Sequence, residues 1–187
     1  NFLNGEKMSD LTITHAGSTV TQTRQEVLSN NKKLNQMKVD LIDVVPTCDT
    51  DAIPNDDVIF DWVEIPNAVA VKGGSAIIQS IHLLDKAIKS ATMDIFFQTD
   101  NTTLGTLGGD PSLGDADATD MLGFTTLSNY SAIGTGNSVC TKTNLGIVVK
   151  AAANTRSIYM AAINRSGSSI DSYSATSLNF RIGIVQD

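Results

Sequence analysis

The closing run SLNFRIGIV constrains the fold of this chain more than any other stretch. Leu178, Phe180, Ile182 and Ile184 alternate with Asn179, Arg181 and Gly183, which is strand periodicity with one face turned to a core. A lone strand cannot bury such a face, so it demands a sheet and a second layer. Partners are legible upstream, between Ile65 and Phe97. That segment holds Val69-Ala70-Val71, a Gly73-Gly74 break, and a β-branched run from Ile77 to Leu84. The link DKAIKSAT follows, and then MDIFFQT, with Met93, Ile95 and Phe97 on one face.

The same reading places further strands. Leu34 to Val45 reads as a strand with both faces partly covered, Val39 and Leu41 on one and Ile42 and Val44 on the other, ended by Pro46. In VIFDWVEI, Val58, Phe60 and Trp62 point one way and Ile59, Val63 and Ile65 the other. After the glycine-rich loop DNTTLGTLGGDPSLG, the segment DADATDMLGF predicts a short helix starting at Asp115, with Gly123 as its C-cap. Strands follow in TTLSNYSAI, in NLGIVVKAAA (Leu145, Ile147 and Val149 in phase), in SIYMAAIN and in the closing run. RSGSSIDSYSAT is expected to be a polar hairpin loop between the last two. About eight or nine strands and one short helix fit an all-β fold, an antiparallel β-sandwich over residues 34–187. A jelly-roll-like order is the first expectation and an immunoglobulin-like one the second.

Residues 1–33 are polar and thin in large apolar groups, and read as an extended N-terminal arm. Leu11 and Ile13 alternate with Thr12 and Thr14 in a short strand that can bury little alone. Leu11, Ile13 and Val20 are the candidate partner-binding residues, whether the arm docks on its own domain or on a neighbouring subunit.

A formal net charge of −7 over 187 residues argues against a nucleic-acid or anionic-membrane binder, and Lys32, Lys33 and Lys38 read as surface decoration. Apolar residues make up 41% and charged residues only 18%, so the surface stays soluble through Ser, Thr, Asn and Gly, a composition frequent in extracellular and virion β proteins. No run approaches the ~20 apolar residues of a membrane span. The start, NFLNGEKMSD, lacks the basic end and apolar centre of a signal peptide, and Met8 is an alternative initiator. Cys48 and Cys140 show no metal or redox spacing and are expected to be free thiols, although one disulfide is open to them.

Chemistry is thinly represented. Asp115, Asp117 and Thr119 alternate as in the front of a calcium loop, but the sixth position is Asp120 where glycine is needed and the twelfth is Thr126. Helix capping accounts for them better, and a solvated loop accounts for Asp49, Asp51, Asp56 and Asp57. His15 and His82 have no nucleophile motif beside them. Phe60, Trp62, Phe96 and Phe97 could form a sugar-binding face, but at strand spacing they read as core. No catalytic residue, metal site or cofactor is expected, and the chain does not read as an enzyme.

Three segments carry a resemblance. Val69 to Ile81 (with AVKGGSAIIQSI), Met93 to Gly105 (MDIFFQTDNTTLG) and Ser157 to Asp187 (SIYMAAINRSGSSIDSYSATSLNFRIGIVQD) resemble a family of bacteriophage virion proteins over about the last two-thirds of the chain. The resemblance implies a capsid decoration (cement) protein on the outer surface of the head, binding the major capsid protein and itself as a homotrimer or dimer. No catalytic residue transfers. A tail, baseplate or fibre component, and a carbohydrate-binding module, are the alternatives.

Overall fold

The computed structural model describes the strands at 11–15 and 18–22 and residues 38–186. Two compact units divide the chain, residues 1–37 and 38–187. In the first, β1 (Leu11–His15) pairs antiparallel with β2 (Ser18–Gln22). The expected strand around Leu11 and Ile13 is therefore present, together with a partner that sequence reading missed.

The second unit is an all-β sandwich. Its strands are β3 (Lys38–Val44), β4 (Val58–Ile65), β5 (Ser75–Asp85), β6 (Met93–Gln98), β7 (Met121–Leu127), β8 (Tyr130–Ile133), β9 (Asn137–Lys150), β10 (Ile158–Asn164) and β11 (Leu178–Gln186). One sheet runs β4-β10-β6-β7 and the other β3-β11-β5-β9-β8, with antiparallel pairing throughout. The closing strand thus sits inside its sheet, between β3 and β5. Leu178, Phe180, Ile182 and Ile184 are all buried, as are Met93, Ile95 and Phe97 on the facing sheet. Phe60 meets Phe180 across the gap edge to face, with ring centroids 5.5 Å apart, an arrangement the aromatic quadrupole favours.

Four expectations need correction. Val39 and Leu41 face solvent, while Ile42 and Val44 enter the core, so β3 is covered on one face only. In β4, register shifts against β10 break the simple alternation: Phe60 joins the main core, whereas Val58 and Trp62 pack on the opposite face of the sheet. A bulge inserts a residue and reverses phase beyond it, which a period-two count cannot foresee. The helix α1 is only Asp115–Ala118, and Gly123 lies inside β7 rather than at a C-cap. Finally, residues 165–177 are no hairpin loop, because β10 and β11 belong to different sheets. That segment crosses the end of the sandwich and buries Ile170 and Tyr173.

Asn164, fully buried at the end of β10, anchors this crossover. Its Nδ2 donates to the carbonyls of Ile53 (3.0 Å), Pro54 (2.8 Å) and Ser168 (3.1 Å), and its Oδ1 accepts from the amide of Ser166 (2.9 Å).

Candidate interface on the five-stranded sheet

The two sheets differ in what lies outside them. The loop from Thr99 to Gly114 roofs the four-stranded sheet, where Leu104 packs with Val58, Ala161 and Ile163, and Trp62 and Phe96 border the cluster. Asp61 pins that roof: its carboxylate accepts from the amide of Leu104 (2.7 Å) and the hydroxyl of Thr103 (2.9 Å). Among residues 38–186 no equivalent segment covers the five-stranded sheet.

Strand register arranges its outer face in rows. Val39, Val185, Ile77 and Val148 stand side by side across four strands. Val39 is 71% exposed, Val148 65% and, in the next row, Leu41 62%. That next row continues through Gly183, Ser80 and Thr143. A Cβ at Gly183 would meet Ser80 Oγ, so a larger residue there requires that hydroxyl to turn away. The third row is polar: Asp43, Arg181, His82 and Thr141. Arg181 Nε donates to Asp43 Oδ1 at 2.8 Å, and His82 Nδ1 lies 2.8 Å from Thr141 Oγ1. Beside this row a recess of about 330 Å3 is bordered by Val45, Leu84 and Asn179. Large aliphatic side chains in contiguous rows on a solvent face mark contact surfaces more often than isolated exposed residues do.

The lateral edges of the sandwich are treated differently. In β3, the amide of Leu41 donates to Asp40 Oδ1 (3.1 Å), and Lys38 Nζ pairs with Asp40 Oδ2 (2.7 Å), which holds the Asp40 carboxyl below its ordinary range. In β4, the other edge strand on that side, the amide of Trp62 donates to Asp61 Oδ1 (2.8 Å). Charged groups folded onto an edge discourage strand addition there.

No protein-family model and no curated protein matches the chain.

The residues singled out by sequence fall in separate places. Register sets Ile13 opposite Val20, and Leu11 opposite Gln22, in the β1–β2 ribbon. Val39, Leu41, Ile77, Val148 and Val185 were not foreseen as an exposed group. Each strand shows its own alternation, but only pairing order and register bring the five together. Of the four aromatics weighed as a sugar platform, Phe60 and Phe97 are core, and Trp62 is partly buried beside the roofing loop. Phe96 stacks on Phe124, with centroids 5.5 Å apart and ring planes at 23°, and only Phe124 is largely exposed, at 58%.

Both cysteines are free and buried. Burial, with a smaller contribution from the Asp85 charge, pushes the Cys48 thiol up to about 12, and burial also raises Cys140. Neither supplies a thiolate at neutral pH. Among the described residues no group of three His, Cys, Asp or Glu is placed to hold a metal ion. No described helix is long and apolar enough to cross a membrane.

The acidic loop residues have structural partners. Asp49 Oδ1 accepts from the amide of Asp51 (3.1 Å), and Asp56 pairs with Arg165, which also donates to Asp94 (3.0 Å). Asp57 is buried, and burial, followed by the nearby Asp110 and Asp56 charges, raises its carboxyl. A raised folded-state value favours the native state in full below the unfolded carboxyl's ~3.9, and that contribution fades as pH rises through the folded value. Asp57→Asn is therefore expected to raise the melting temperature at pH 7, with the gain shrinking toward pH 3. Thermal melts of both proteins across that range check it; a gain unchanged at pH 3 would assign the effect to packing instead.

Proposed function

We propose that the chain is a structural component of a virion, of the capsid-decoration type, that works by contact and not by turnover. The observation that carries this reading is the order of the strands. Setting β8 aside as an addition, the sheets β3-β11-β5-β9 and β4-β10-β6-β7 fit two interlocked Greek keys, the jelly-roll-like arrangement common among viral capsid and lectin domains. Fold alone does not fix function. The resemblance of Val69–Ile81, Met93–Gly105 and Ser157–Asp187 to phage virion proteins supports the viral branch, and the shortage of exposed aromatic rings disfavours the lectin branch. The outer face of the five-stranded sheet, uncovered among residues 38–186, supplies the surface an assembly protein needs.

In this reading the sandwich sits on the outside of the head against the major capsid protein, and each modest contact is multiplied over the shell. The test is cosedimentation of the purified full chain with separated heads and tails of the phage. Saturable binding to heads is the expected result. Binding confined to tails would move the protein to the tail, baseplate or fibre, and binding to neither would remove the virion reading.

A further inference from the structure

We propose that the open face of the five-stranded sheet is a self-association surface, on which two copies of this chain pack face to face about a two-fold axis. The inference rests on the assembly reading above and names the partner of that face.

Charge favours a second copy at this place. The chain carries a formal net charge of −7, so two copies repel one another over most approaches. By register, the charged positions on this face are Asp43, Arg181 and Lys150, one negative and two positive, and Arg181 already pairs with Asp43. By register the face thus carries no net negative charge, unlike the chain as a whole, and it also holds the apolar row.

Geometry selects the mode. Strand addition is discouraged on the β3 and β4 side, where Asp40 and Asp61 accept the following amides. The apolar row points to packing through the faces, where aligned sheets stack about 10 Å apart. A two-fold axis along the strand direction keeps each row at its own height. With that axis between β3 and β11, Val39 lies over the partner copy's Val185, and Arg181 over the partner copy's Asp43. Val39 and Val185 then meet the same pair on the second copy, and Asp43 and Arg181 meet their own complement. An isologous contact of this kind closes on itself as a dimer.

Sedimentation velocity of the full chain over a concentration series tests the proposal. A reversible dimer is expected, tightening as salt rises from about 0.05 to 0.5 M because screening removes the mutual repulsion of two acidic molecules. Leu41→Asp and Val39→Asp should each weaken dimerisation by about tenfold or more, with far-UV circular dichroism unchanged. Phe124→Ser, on the other sheet, should leave it as in wild type. A wild-type protein that stays monomeric at high concentration and high salt would overturn the proposal, as would face variants that dimerise normally. Head binding by a strictly monomeric protein would remove this inference and leave the virion reading standing. A face-dependent dimer that ignores heads would do the reverse.

Discussion

Phe60→Ala is expected to destabilise the sandwich by about 3–5 kcal/mol, the range for truncating a buried Phe. The side chain is fully buried and bridges the sheets through its edge-to-face contact with Phe180. Both the lost transfer energy and the cavity fall at the centre of the interlayer contact, where two sheets held by many other residues cannot simply close the gap. For a domain of this size the loss corresponds to a fall in melting temperature of about 10 °C, and to a lower urea midpoint with little change in slope. Phe124→Ala, at a ring that is mostly exposed, should cost within about 1 kcal/mol. Equal losses at the two positions would show that the interlayer contact is not the source of stability argued here.

Asn164→Ala should cost about 2–4 kcal/mol through a different mechanism, since a buried polar group stripped of its partner loses more than one ordinary hydrogen bond. The carbonyls of Ile53, Pro54 and Ser168 lose a shared donor, and the amide of Ser166 loses its acceptor. Asn164→Asp should be worse at neutral pH, because a carboxylate would face three carbonyl oxygens with nothing to donate, and acidification should partly relieve it. Because Asn164 ties the crossover to the loop at Ile53, limited proteolysis should show faster cleavage between Arg165 and Ser177 in both variants. Chemical denaturation gives the energies. Wild-type protease resistance of that segment would contradict the anchoring role.

The sequence was most readable where strands are regular and one face is buried. The alternations at Met93–Phe97 and Leu178–Ile184 marked core positions correctly, because nothing interrupts the pleat between the residues concerned. Reading failed where pairing is irregular or distant. The shifted register of β4 against β10 separates Phe60 from Val58 and Trp62, and that irregularity leaves no mark in composition. Met121–Leu127 follows acidic, alanine-bearing residues that favour a helix start, but pairing with β6 draws it into the sheet, as tertiary context often overrides local propensity. β9 extends back to Asn137, well before the apolar stretch that announced it, because its early half pairs with β8 and β5. The outer face of the five-stranded sheet was the least legible feature. Val39, Ile77, Val148 and Val185 are scattered over most of the chain, and only the order β3-β11-β5-β9 aligns them.

The central position of β11 also bears on how the molecule comes into being. Synthesis produces β3 and β5 long before the strand that lies between them. Until β11 arrives, their facing backbone groups and the apolar side chains of Ile42, Ile81 and Leu83 lack their native cover. A nascent chain therefore holds an open slot that only its own late segment fills, and long-range pairing of this kind folds slowly. During that interval the slot can accept a strand from another chain. How well this protein folds at high concentration thus depends on how promptly each copy closes its own sheet.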